Sequence, residues 1–253
     1  MKQNIEFLNS HSDNTIISKT KFKPMLFSMP MVQAVLEGKK TETRRLKGLQ
    51  NIDAKATEII ANNGWPKQGN FTARFQFKDI KTDGVEAWEI TNILKSPVKI
   101  GDVIWVRETW NTREGEFVYK ASPNLFKQTN WYKEIENAFR IVSLEVPEPE
   151  NCIQWKPSLF MPKNACRLFL EVTDIRAERL QNISEQDAIA EGVINLEGTI
   201  LWYNYIQDRY TCGSAIESYK SLWQKINGIE SWDLNSSVWV ITFKVVKCPQ
   251  GFC

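Results

Sequence analysis

Between Arg167 and Leu180, Leu168, Leu170, Val172 and Ile175 lie among polar or charged neighbours. Alternation of this kind puts one face of an extended chain in a core, so the stretch reads as a long, bent strand. It runs into Asn182-Ile183-Ser184-Glu185-Gln186-Asp187-Ala188-Ile189-Ala190-Glu191-Gly192. There Ser184 is placed to cap a helix of about two turns and Gly192 to stop it. A strand handing over to a short capped helix excludes all-α and all-β folds and gives an α+β class.

The same strand-to-helix grammar recurs nearer the N-terminus. Lys23 to Ser28 reads as a strand, and Ser28 or the Met29-Pro30 step opens a helix carrying Met31, Ala34 and Val35 on one face. Gly38 ends that helix. Next comes Lys39-Lys40-Thr41-Glu42-Thr43-Arg44-Arg45, read as a basic loop projecting from the helix end. From Lys39 to Lys47 there are five Lys or Arg and one acid, a local charge of 5 − 1 = +4 on a chain whose net charge is +2. The positive charge is focal. Forked guanidinium donors and compact ammonium groups beside two hydroxyls suit an anionic or carbonyl-bearing ligand. A basic run after a helix C-terminus also complements the helix dipole and can simply be solvated, and both readings stay open.

Other elements follow from pattern. Phe71, Ala73, Phe75 and Phe77 alternate with polar residues as a half-buried strand, and Val85 to Ile90 pairs with it across Asp83-Gly84. Gly101 turns into the near-continuous apolar strand Val103 to Arg107, read as central, with Glu108, Thr109 and Trp110 emerging at its end. Phe117 to Ala121 reads as a strand and Trp131 to Phe139 as a helix. Ile216, Tyr219, Leu222, Trp223 and Ile226 form one face of a helix and are assigned to the core. Val238 to Val246 closes the fold as a strand. Residues 1–22 read as a polar arm, 23–247 as one domain, and 248–253 as a C-terminal tail.

Composition narrows the chemistry. With 32 basic and 30 acidic residues, the surface is not the basic coat of a protein that grips long duplexes through phosphates. Nucleic-acid contact should therefore be local. The five cysteines form no C-x-x-C pair and the single His11 sits in the polar arm, so neither a metal site nor a cofactor is expected. Scattered cysteines fit a reducing compartment, and Cys166 reads as a small buried residue. No apolar run approaches the roughly 18 to 20 residues that a membrane span needs. No signal-peptide core is seen either. The reading is a cytoplasmic protein without membrane contact. Trp105, Trp110 and Trp155 are candidates to stack a base, with core as the leading reading of each.

The order of parts resembles the ASCH domain, a branch of the PUA-like superfamily: G-K-K-T-E-T-R-R after a helix, G-D-V-I-W-V-R on a strand, R-L-Q-N-I-S-E-Q-D-A-I-A-E-G-V, and a final S-V-W-V-I-T-F-K. It is most similar to the longer ASCH proteins of bacteriophages and prophages, over most of residues 23–247. The family signature G-x-K-x-x-E-x-R falls on Gly38, Lys40, Thr43 and Arg45, with Thr43 where Glu is usual. The small bacterial ASCH amidohydrolases of N4-acetylcytidine also carry Thr there. Their Lys, Thr and Glu correspond to Lys40, Thr43 and Glu191.

The resemblance implies a small mixed β-barrel flanked by helices. It places a pocket between the basic loop, the strand after Gly101 and the segment ending at Glu191. Segments at about 47–98 and 111–160 have no counterpart in the minimal enzymes and are insertions. Three functions remain. The first is binding of RNA or a modified nucleoside or nucleotide in a basic cleft, using Lys39, Arg44, Arg45, Arg107, Trp105 and Trp110, without turnover. The second is hydrolysis of N4-acylated cytidines through Lys40, Thr43 and Glu191. The third is a phage structural or interaction role, which would show as a stable oligomer with an empty pocket. The number of assembled chains is not set by the sequence.

Overall fold

A computed structural model describes residues 20–47, 49, 56–61, 72–80, 86–113, 115–122, 133, 137 and 153–252, with the backbone alone across 56–61, 72–80 and 86–94. Strands and helices are mixed, so the fold is α+β. Its frame is a five-stranded sheet of β1 (Phe22–Leu26), β6 (Val103–Arg107), β9 (Phe169–Arg179), β12 (Ser237–Val246) and β2 (Glu42–Arg45), in that spatial order. β1 runs parallel to β6, and the remaining pairs are antiparallel.

The long strand read between Arg167 and Leu180 is β9, the middle of the sheet, and its bend has a local cause. Thr242 pairs with Asp174 and Phe243 with Val172, so Thr173 is an extra residue, and such a bulge kinks and twists the strand. Both faces of β6 are covered, Ile104 and Val106 in the main core and Val103 in a second cluster with Phe252, which explains its nearly unbroken apolar run. Leu170, Val172, Ile175, Trp239 and Ile241 make the centre of the core, each 2% exposed or less. Two helices close over it: α1 (Met29–Leu36) through Val32 and Val35, and α3 (Ala215–Asn227) through Tyr219, Leu222 and Trp223.

The remaining strands are peripheral in their pairing. β3 (Ala56–Ala61), β4 (Thr72–Ile80) and β5 (Glu86–Lys95) form a separate antiparallel sheet. β7 (Trp110–Arg113) pairs with β8 (Glu116–Tyr119), and β10 (Trp202–Asn204) with β11 (Arg209–Cys212). Strands β3, β7, β10 and β11 had no alternation long enough to be read. The arm up to residue 19, the Asp83-Gly84 turn and nearly all of the helix expected at Trp131 to Phe139 lie outside the described residues. The C-terminal tail is anchored: Phe252 is fully buried, with Phe169 edge-on at 4.7 Å and Phe22 at 5.2 Å.

Two features of the sequence reading are corrected. The basic segment is not a projecting loop: Gly38, at φ +71°, turns the chain straight out of α1, and Glu42–Arg45 pairs with β12 as edge strand β2. Nor do the described strands close a barrel, since β1 and β2 are the two ends of the strand order. A side chain spans them instead, Arg45 Nη2 donating to the Leu26 carbonyl at 2.9 Å.

Helix α2 (Glu185–Ala190) starts where expected, the Ser184 hydroxyl accepting from Asp187 N at 3.1 Å. It ends against the α1–β2 turn. Thr41 N donates to the Ala190 carbonyl at 2.9 Å, and Gly192 (φ +84°) is so close that a Cβ there would lie 2.7 Å from Ala34 Cβ and 2.9 Å from Lys40 Cβ. Left-handed backbone costs an L-residue about 1–2 kcal/mol and overpacking about 1–3 kcal/mol more. Gly192→Ala should therefore lower the thermal midpoint by about 5–15 °C. Gly38→Ala, with the same backbone sign and nothing within 4 Å of its added Cβ, should lower it by less. Equal losses by calorimetry would show that the close approach at Gly192 carries no energy.

Candidate functional site

The contact at Gly192 brings the chain's two distant motifs together. Lys40, 2% exposed, directs its ammonium to three oxygens at 2.7 Å each: the carbonyls of Glu42 and Glu191 and Glu191 Oε2. Glu191 follows the last residue of α2, where the helix dipole disfavours negative charge, and Lys40 supplies the compensating cation to both its carbonyl and its carboxylate. Burial pulls the Lys40 ammonium below its ordinary pKa, Glu191 opposes the fall, and Arg45 and Arg44 add to it.

Around this pair lies a buried network. Arg44 donates to Glu42 at 2.7 Å, to Glu178 at 2.6 Å, to Asp187 at 3.2 Å and to Glu191 at 3.3 Å. Arg176 binds the same Glu42 at 2.8 Å, Glu178 at 3.2 Å and Asp187 at 3.1 Å. Strand alternation explains the assembly: Glu42 and Arg44 share one face of β2, and Arg176 and Glu178 share one face of β9. Three cations, Lys40, Arg44 and Arg176, thus meet four carboxylates, Glu42, Glu178, Asp187 and Glu191. The sum is 3 − 4 = −1, and Arg45 brings it to zero. The positive cluster read along the sequence is neutralised in space.

Arg45 is the exception within the motif. Among the described residues it forms no ion pair; its guanidinium lies 5.3 Å from the centre of the Phe27 ring, a ring that Lys40 Nζ also faces at 5.7 Å. Burial lowers its pKa, with Glu191 and Tyr219 acting in the opposite sense. Arg45 lines a cavity of about 790 Å³ between β1, β2 and α3, together with Phe27, Arg44, Glu191, Tyr219 and Trp223. The Tyr219 hydroxyl has no hydrogen-bond partner among the described residues. Burial and the Glu191 carboxylate hold its pKa well above the ordinary tyrosine value, so it is a neutral donor.

No family model, curated protein or solved structure matches the chain.

Of the three residues taken from the ASCH resemblance, Lys40 and Glu191 are in direct contact, and Glu191 lines the cavity while Lys40 and Thr43 do not. Thr43 is 4% exposed, on the Arg45 face of β2 and opposite Ile241 of β12; its hydroxyl has no partner among the described residues. Lys40, with every ammonium proton engaged, is a fixed donor rather than a free base.

Several expected binding residues lie elsewhere. Lys39 is exposed and pairs with Glu37 at 2.7 Å, away from the cavity. Trp105 packs against Phe252 with ring centres 6.0 Å apart and carries Arg107, whose guanidinium bonds the Leu159 carbonyl. Trp110 is buried with Met161 and Ala165. None of these lines the cavity, and neither does β6. Of the residues emerging after β6, Thr109 lines the cavity, whereas Glu108 is 1% exposed and held bidentately by Arg167 at 2.8 Å.

The residues that do line it were read otherwise. Tyr219, Leu222, Trp223 and Ile226 are the α3 face assigned to the core, and Phe27 lies between β1 and the Ser28 cap of α1. An amphipathic helix pattern is the same whether its apolar face meets packed side chains or a cavity wall. Arg176, Glu178 and Asp187 are not singled out as site residues in the sequence; the opposite charges of Arg176 and Glu178 on one strand are a sign of pairing.

Among the described residues there is no cluster of His, Cys, Asp or Glu able to hold a metal ion, and no helix is long and apolar enough to cross a membrane.

Removing one partner of a buried ion pair costs about 3–5 kcal/mol because the other charge is stranded, whereas removing both costs far less. In urea unfolding, Lys40→Met should lose stability of that order, and adding Glu191→Gln should restore at least about 1 kcal/mol. Strictly additive losses would show that the two side chains are not coupled.

Proposed function

We propose that this chain binds a nucleoside-type ligand in the cavity between β1, β2 and α3, with Arg45, Tyr219 and Glu191 as its polar contacts. One observation carries the reading. The cavity joins an apolar, aromatic wall to a floor whose charges balance once Arg45 is counted, Arg45 being the floor cation that forms no direct ion pair among the described residues. Pockets of about 300–1,000 Å³ with a few convergent polar groups suit small ligands. A neutral floor favours an uncharged heterocycle with carbonyl and amine groups over a bare polyanion, because a phosphate placed there would meet the Glu191 carboxylate. Phe27, Tyr219 and Trp223 supply ring faces for a flat base.

The family reading is a proposal of the same standing: an ASCH-type, PUA-like domain. Its support is that the G-x-K-x-x-T-x-R segment and the I-S-E-Q-D-A-I-A-E segment, 151 residues apart at Lys40 and Glu191, meet in a hydrogen-bonded pair.

That contact also favours a second reading, amide hydrolysis. Thr43 Oγ would attack the acyl carbon of an N-acylated base and pass its proton to Lys40 in its neutral form. Cleavage of the C–N bond would release the base amine with that proton, and water would hydrolyse the threonine ester to free acid. Arg45 would hold the oxyanion. The depressed pKa of Lys40 supports this scheme, while its three hydrogen bonds oppose it.

Calorimetric titration with the four ribonucleosides and N4-acetylcytidine tests the binding reading, and acetate release from N4-acetylcytidine tests turnover. At least one nucleoside should bind, and Arg45→Gln should weaken it about ten-fold or more, the loss expected for a charge-assisted hydrogen bond. Thr43→Ala should abolish acetate release and leave that affinity in place. No binding by any nucleoside would overturn the proposal, and full turnover by the Thr43 variant would remove it as nucleophile.

A further inference from the structure

The cavity has a direction. Along α3, Tyr219 and then Leu222 and Trp223 line it at 3%, 5% and 5% exposure, and Ile226 lines it at 61%. Seven residues of helix advance about 10 Å, so α3 marks an axis from a closed floor to an open mouth. Strand β1 gives the same axis from the other side. Phe27 sits at the floor against Lys40 and Arg45, Met25 follows on the same face, and Lys23 lies about 13 Å from Phe27 at the usual rise of an extended chain. On β2 the chain leaves the floor at Arg45 and reaches the exposed Lys47 at the rim.

Charge changes along this axis. At the floor Lys40 and Arg44 are matched by carboxylates. Toward the mouth, Lys23 and Lys47 line the cavity with no ion pair among the described residues. Glu191 is the one acid among the described lining residues, and it belongs to the floor. The cavity therefore offers an uncharged heterocycle its place at depth, apolar walls at mid-height, and two uncompensated ammonium groups at the entrance.

From this tiered arrangement we infer that Lys23 and Lys47 form a phosphate subsite and that the ligand is a nucleoside 5′-monophosphate rather than the free nucleoside. The inference rests on the nucleoside reading above. The floor-to-mouth distance is comparable with that from the far edge of a nucleotide's base to its 5′-phosphate. Lysine binds phosphate as a compact point charge without needing fixed geometry, which suits side chains at a rim. Base and phosphate are thereby read at opposite ends of one cavity, and repulsion between the phosphate and Glu191 sets the orientation.

The test is equilibrium binding of each ribonucleoside and of N4-acetylcytidine against the corresponding 5′-monophosphate. For the base that binds, the monophosphate should be about ten-fold tighter at low salt, the sum of two rim ion pairs. That advantage should fall to about two-fold or less between about 50 mM and about 500 mM salt, as surface charges are screened. Substitution of the half-buried Lys23 and the exposed Lys47 together, Lys23→Gln with Lys47→Gln, checked for an unchanged circular dichroism spectrum, should bring the monophosphate to the affinity of the nucleoside. Equal affinity of nucleoside and monophosphate for the native protein, or a preference that survives in the double variant, would overturn the phosphate subsite alone. Absence of binding by both forms of every base would overturn the nucleoside reading with it. Inorganic phosphate binding as tightly as the monophosphate would also overturn it, since the base would then contribute nothing.

Discussion

The ammonium of Lys40, held between two backbone carbonyls and the Glu191 carboxylate, is the contact on which the site depends. It fixes the start of β2 against the end of α2, and Gly192 is required there because any side chain would push the two apart. Once that junction is set, β2 must place Glu42 and Arg44 toward β9 and Thr43 and Arg45 away from it. Arg44 and Glu191 belong both to the ion-pair network and to the cavity lining, so the two share side chains at β2. A buried pair of this kind contributes modestly to net stability, because desolvation offsets most of the attraction, but it strongly penalises arrangements that separate its members. Its effect is to make one register of β2 and one position of α2 much better than their neighbours.

Neutralisation of the network changes what the cavity can hold. Four positive side chains near one another would attract polyphosphates without discrimination. With Lys40, Arg44 and Arg176 engaged by acids and Arg45 balancing the remaining negative charge, the floor presents hydrogen-bonding groups rather than bulk charge. Among the described lining residues, cations without an ion pair recur at the rim, on Lys23 and Lys47. Separation of a neutral floor from a charged entrance is how one cavity can read the two ends of a single small molecule.

Much of the architecture was legible because local pattern and tertiary role agreed. The alternation at Leu168, Leu170 and Val172, the unbroken apolar run of Val103 to Val106, the Ser184 cap and the Gly38 stop each describe an element whose surroundings are those its sequence requires. Lys40 and Glu191 as partners were legible through the family resemblance. The reading failed where one local pattern serves two environments. Trp105 and Trp110 are compatible both with stacking on a ligand and with packing on Phe252 or Met161. Tyr219 and Trp223 are equally compatible with core and cavity. Nothing local marks Glu42 and Glu178 as partners of Arg44 and Arg176, which neighbouring strands bring to the same face of the sheet.

By itself, then, the chain determined most of its long elements, several of their boundaries and the chemistry available at Lys40, Thr43, Arg45 and Glu191, because helix and strand periodicity, caps and left-handed glycines act over a few residues. The tertiary structure alone decided which of those charges are spent on one another and which remain for a ligand. Ion pairing and cavity walls join residues from β1, β2, β9, α2 and α3, and the Coulomb and desolvation energies that sort them depend on distances across the fold, which no local pattern encodes.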